Sequence, residues 1–173
     1  MPYVTYALIV VVAVVHLLVS KKPRTKLRVA EVFLFYQLVL GVALGGTIAF
    51  MGHVFAADSI ADSIGWPKGN PFQFEVGMAD LAFGVLGWMC IWRRGSFWRA
   101  TVVGWSIFLL GDGIEHFRLM VEEGNYAINN AGMIAPDIVM AVLLTGNLIA
   151  FEVLKKREKS TAGAAVEAAA AAE

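Results

Sequence analysis

Apolar residues fall into five long runs separated by short polar links, and this alternation sets the predicted architecture. Spans are expected over residues 3–20, 30–56, 73–92, 97–120 and 134–155, each close to the roughly 20 residues needed to cross a bilayer. Polar links interrupt the pattern at Lys21–Arg28, Asp58–Asn70, Arg93–Arg94 and Val121–Gly132, and a basic run, Lys155–Lys159, closes the fifth span. The expectation is an all-α integral membrane bundle forming one domain over 1–159, followed by an alanine-rich tail, 160–173, that frays. The first run lacks a basic leader and a small-residue cleavage site, so it reads as a retained span, not a signal peptide. Pro136 suits the first turn of the fifth helix.

Within the second link, Ala-Asp-Ser-Ile occurs twice in tandem, which spaces Ile60 and Ile64 one helical turn apart. Gly65 and Pro67 follow as stop signals. A short amphipathic helix on the outer surface is expected there, with Trp66 at headgroup level. In the second span Gly41 and Gly45 form a GxxxG pair, and Gly77, Gly84 and Gly87 mark one stripe of the third. Small residues of this kind let membrane helices approach closely.

Composition agrees with the pattern: 58% of the 173 residues are hydrophobic and 16% charged, against roughly 25% charged in a soluble domain. Formal net charge is zero, which argues against nucleic acid as a partner. The single cysteine, Cys90, excludes an intramolecular disulfide and a paired-cysteine metal motif. Charge distribution predicts orientation. Of 14 Lys and Arg, Lys21, Lys22, Arg24, Lys26, Arg28, Arg93, Arg94, Arg99, Lys155, Lys156, Arg157 and Lys159 lie after spans one, three and five, leaving only Lys68 and Arg118. Basic residues favour the cytoplasmic side, so the N-terminus is expected outside and the C-terminus inside, in the cell's inner membrane.

The stretch from Ile64 to Gly77, Ile-Gly-Trp-Pro-Lys-Gly-Asn-Pro-Phe-Gln-Phe-Glu-Val-Gly, resembles the signature of a small family of prokaryotic integral membrane proteins. The resemblance extends to His53, Asp80 and Gly84 and covers about a third of the chain. It implies a multi-span fold and no particular activity.

Candidate chemistry gathers in the outer third of the predicted bundle. Asp112, Glu115 and His116 fall at i, i+3 and i+4 within an apolar run, and ionisable groups at membrane depth read first as functional. His53 sits near the outer end of the second span, Glu75 and Asp80 near the start of the third, and Asp137 in the first turn of the fifth. Five carboxylates, Glu75, Asp80, Asp112, Glu115 and Asp137, face one nearby obligate cation, Arg118. Unpaired ionised carboxylates in a low dielectric are strongly disfavoured, so they must be protonated, solvated in a cavity or gathered around a metal. Two histidines at the same level favour metal, because carboxylate and imidazole together suit Fe, Zn or Mn. The leading expectation is therefore a site for one or two divalent ions, ligated by His53, Asp80, Asp112, Glu115 and His116 and supported by Glu75, Asp137 and Arg118. Such a site would serve metal-dependent hydrolysis or oxidation. The rival expectation is a proton- or cation-coupled transport protein using the same carboxylates. A third is an accessory subunit docking a membrane partner through the Trp66 link, and a homo-oligomer is a further expected assembly. His53 and His116 also leave haem ligation open. The inner-end His16 and the remaining aromatics read as structural.

Overall fold

The computed structural model describes residues 2–171, and within them every regular element is helical. The helices are α1 (Pro2–Val19), α2 (Lys26–Phe55), α3 (Ala57–Ile64), α4 (Phe72–Met89), α5 (Ser96–Glu122), α6 (Ile128–Ala131) and α7 (Ile134–Ala170). Three segments are long and apolar enough to cross a membrane: α1, α2, and Ile128–Ala170, which comprises α6 and α7. At 18 and 27 residues, α4 and α5 have the length but not the same apolarity. Their polar residues are the ones of chemical interest.

Two helical hairpins make the core of the bundle. Hairpin one packs α2 against α4 across the glycine stripe, and hairpin two packs α5 against α7. A Cβ at Gly87 would lie 2.5 Å from the backbone nitrogen of Ala43, and one at Gly46 2.7 Å from the carbonyl oxygen of Asp80. Backbone meets backbone here, and only glycine permits it. The expected Gly41–Gly45 pair is not the contact. Gly41 faces Ile9 of α1, whereas Gly46 meets α4. The reason is that α2 is π-helical over Gln37–Leu44, and the wider turn rotates the helix face away from the regular register.

The hairpins meet through α2 and α7 on one side and α4 and α5 on the other. Phe83 of α4 packs on Trp105 and Phe108 of α5, with ring centroids 5.3 and 5.5 Å apart. At the Arg94 end of the bundle the core is apolar around buried Trp98, whose indole N–H donates to the Cys90 carbonyl at 2.9 Å. Cys90 is itself fully buried. Arg94 pairs with Glu31 at 2.7 Å, and Arg99 pairs with Glu152, tying the helices together at that end. His16 is held there by Tyr36 and Arg28, at 3.0 and 3.2 Å.

Between the arms of the two helical hairpins at the opposite end lie α3 and α6. The expected amphipathic helix is α3, which buries Ala61 and Ile64 and stops at Gly65, where φ is +82°. Asn125 donates from its amide to the Ile64 carbonyl at 2.9 Å, and Asn129 to the Ser63 hydroxyl at 3.0 Å, so the α5–α6 link is clamped onto α3. Trp66 packs edge-on against Phe72. Past residue 159, α7 continues as helix through Ala170, exposed from Lys155 onward, in keeping with alanine's high helix propensity. Residues 172 and 173 of that expected tail lie outside the described residues.

Candidate functional site

Hairpins one and two repeat a polar pattern. Each outgoing helix carries a histidine near its end, His53 on α2 and His116 on α5. After the short surface helix or within it comes a buried amide, Gln73 or Asn130, and seven residues beyond the amide comes a buried aspartate, Asp80 or Asp137. In both hairpins the histidine Nδ1 meets the amide oxygen: His53 to Gln73 Oε1 at 2.7 Å, and His116 to Asn130 Oδ1 at 2.8 Å.

Asn130 fixes its own orientation. Its amide nitrogen donates to two carbonyl oxygens, those of His116 at 3.1 Å and Asn125 at 2.8 Å. The oxygen is then what faces His116, so Nδ1 carries the proton and a neutral His116 keeps its lone pair on Nε2. Gln73 is less well satisfied. Its Nε2 is buried with no hydrogen-bond partner among the described residues. Turning the amide over would only transfer the deficit to the oxygen.

Below these pairs the aspartates come together. Asp112 lies within electrostatic reach of both Asp80 and Asp137, so α4, α5 and α7 each contribute one carboxylate to a single region. Asp80 and Asp137 are each 4% exposed, and Asp112 is half-buried. Gly113 makes the approach possible: a Cβ there would sit 3.0 Å from Ile138 and 3.4 Å from the Asp137 Cβ, so α5 and α7 touch at the cluster. None of the three aspartates has an ion-pair partner among the described residues. Asp137, which the sequence placed in an auxiliary role, is as buried as Asp80.

The other expected ligands lie apart. Glu115 turns outward to Arg118, with oxygens 2.6 and 2.8 Å from the guanidinium, and Arg118 also binds Glu122 at 2.8 Å. Both are about half exposed. Glu75 is exposed in the first turn of α4, where a carboxylate suits the positive end of the helix dipole. Each histidine is engaged at Nδ1 by an amide. Among the described residues no group of three or more His, Cys, Asp and Glu side chains is arranged to hold a metal ion. The expected five-ligand metal set is therefore not assembled, and metal binding loses its geometric support.

Sequence reasoning missed Gln73, Asn130 and Asn125. The seven-residue interval from amide to aspartate, occurring twice, was the available signal, but polar amides raise no charge-balance question and so drew no attention.

Toward the apolar core two further polar pairs continue from the cluster. Ser106 and Thr145 join α5 and α7 at 3.0 Å, and Asn147 donates to Gln37 at 2.8 Å at the start of the π-helical turn. Beyond them Val102, Leu148 and Phe151 are buried among aromatic side chains.

The fold and site define an all-helical protein with apolar membrane-length helices and a buried carboxylate cluster. The chain belongs to DUF6790, a family of unknown function, which matches residues 1–159. No curated protein and no solved structure matches it.

Proposed function

We propose that this is a five-span inner-membrane protein, N-terminus outside, whose three aspartates bind and release a proton or small cation during coupled transport. Three carboxylates on three helices, Asp80 and Asp137 each within electrostatic reach of Asp112 and none with an ion-pair partner among the described residues, carry the reading. They cannot all be ionised in a low dielectric unless a cation sits among them, so their charge state is tied to occupancy. In membrane helices such groups are typical of relays and ion pathways. The polar steps at Ser106–Thr145 and Gln37–Asn147 extend part of the way inward, and the packed aromatic end would act as the closed barrier. Spans three and four of the five are α4 and α5, whose lower apolarity comes from this same chemistry.

The test is ion flux in proteoliposomes. A pH or sodium gradient should drive uptake of the counter-ion or substrate, and Asp112→Asn should abolish it. Flux equal to empty liposomes across proton, sodium and potassium gradients overturns the reading.

Metal binding stands second, on one observation: His116 leaves Nε2 free while Nδ1 is held by an amide, the usual posture of a ligating histidine. Asp112 is one turn away on the same helix. Elemental analysis showing one equivalent of Fe, Zn or Mn, lost in His116→Ala, would place this reading first.

A further inference from the structure

A cavity of about 580 Å³, lined by none of the three aspartates, opens between α1, α2 and α7. One α2 face, Lys26, Val29, Ala30, Phe33 and Gln37, forms its floor, and α1 and α7 form its walls. From Lys26 to Gln37 is eleven residues, about 16 Å at ~1.5 Å per residue. That is the depth of one leaflet of a hydrocarbon core about 30 Å thick.

Its two ends differ. At the deep end the polar groups satisfy one another: Gln37 accepts from Asn147, and the Tyr6 hydroxyl donates to the Met140 carbonyl. That end is closed and asks for no ligand. At the surface end stand Arg24 and Lys26, both exposed. Arg24 reaches back to the Leu17 and Leu18 carbonyls at 2.9 and 3.2 Å, which fixes its position without neutralising it. Neither cation has an ion-pair partner among the described residues, and the flanking Lys21, Lys22 and Arg28 likewise have none. Nearby Glu31 is taken by Arg94.

We infer that this groove holds an anionic phospholipid, one acyl chain lying along α2 and the phosphate seated between Arg24 and Lys26. The occupant is set by the combination of a mostly apolar slot one leaflet deep and uncompensated positive charge at its mouth, the pattern by which basic pockets between membrane helices take lipid headgroups. The inference needs the Arg24 end to lie at a membrane surface and holds for either leaflet, so it stands apart from the transport reading.

Native mass spectrometry of detergent-purified full-length protein, titrated with phosphatidylglycerol or phosphatidylcholine, tests it. One phosphatidylglycerol should bind in clear preference to phosphatidylcholine. Lys26→Gln, which removes no hydrogen bond within the protein, should weaken it about fivefold, and Arg24→Gln with Lys26→Gln about thirtyfold. Leu143→Trp, filling the groove from an exposed position, should weaken both lipids alike. Soluble glycerol phosphate should not compete, because it lacks the chain. Equal affinity for the two lipids, indifference to Lys26→Gln and Leu143→Trp, displacement by glycerol phosphate, or a dimer that Leu143→Trp dissociates would each overturn the inference.

Discussion

His53 and His116 occupy matching places in the two hairpins, yet their surroundings differ in two respects. In hairpin two, Asn130 is fully buried and spends all three of its hydrogen bonds, on His116 Nδ1 and on two carbonyls. In hairpin one, Gln73 makes one such bond and leaves a buried amide atom unmatched. The second difference is Asp112. Four residues before His116 stands a carboxylate, whereas four before His53 stands Ala49. A shared frame thus carries a rigid, fully bonded end in one copy and a looser end in the other, with the extra charge placed on the rigid side.

The comparison breaks most severely at the glycines. Gly87 of hairpin one faces the Ala43 backbone at 2.5 Å, which cannot move aside, whereas Gly113 of hairpin two faces the Ile138 side chain at 3.0 Å, which needs to give by only a few tenths of an ångström. Gly87→Val should prevent folding, read as loss of the monodisperse peak in fluorescence-detected size exclusion. Gly113→Ala should cost about 1–2 kcal/mol through modest overpacking. Equal tolerance at both positions would mean that hairpin one is not held by backbone contact.

Next in size are the amides. Asn130→Ala removes three hydrogen bonds and orphans His116 Nδ1, so a loss of about 3 kcal/mol is expected, while Gln73→Ala should cost about 1 kcal/mol. Thermal melts in detergent at one pH measure both. A larger fall for Gln73→Ala would show that its unmatched atom has a partner in the membrane-embedded protein.

How far the sequence anticipates this arrangement depends on which physical signal each element leaves. The five long helices and α3 are legible because apolar runs and the Ile60–Ile64 spacing are local, and each observed helix begins within about four residues of its expected start. Packing is not local. The π-helical turn in α2 leaves no mark in a 3.6-residue pattern, so the expected GxxxG contact moved to Gly46. The carboxylate cluster was half legible. Charge imbalance drew attention to Asp80, Asp112 and Asp137, but their mutual placement could be read only once the helices were placed. Treating Asp112, Glu115 and His116 as one face overreached, since Glu115 and His116 are about 100° apart on a helix, enough for Glu115 to turn to Arg118.

A third prediction concerns Asp112 as the element that separates the hairpins. It alone reaches both other aspartates, so Asp112→Asn removes two like-charge interactions, and Asp80→Asn or Asp137→Asn removes one. Each interaction should be worth on the order of 1 kcal/mol. Stabilisation should therefore be largest for Asp112→Asn and about half as large for the others. It should appear at alkaline pH, where carboxylates ionise, and vanish in acid, where all are neutral in both proteins. A pH series of melting temperatures gives the sign directly. Destabilisation by Asp112→Asn at alkaline pH would instead mean that the cluster is compensated by a cation in the purified protein.

The smallest effect is expected at Glu115, and it is the one that separates the two readings of α5. Its carboxylate is spent on Arg118 at the exposed surface, and exposed pairs of this kind contribute less than about 1 kcal/mol. Glu115→Gln should therefore leave the melting temperature nearly unchanged and leave ion flux at the wild-type rate. Under the metal reading Glu115, Asp112 and His116 would act as a unit, and removing any one would be nearly as damaging as removing all. A loss of flux or of bound metal comparable to that of Asp112→Asn would require α5 to turn Glu115 inward, away from Arg118, in the working protein. An unchanged rate leaves the three aspartates as the chemistry this bundle is built to hold.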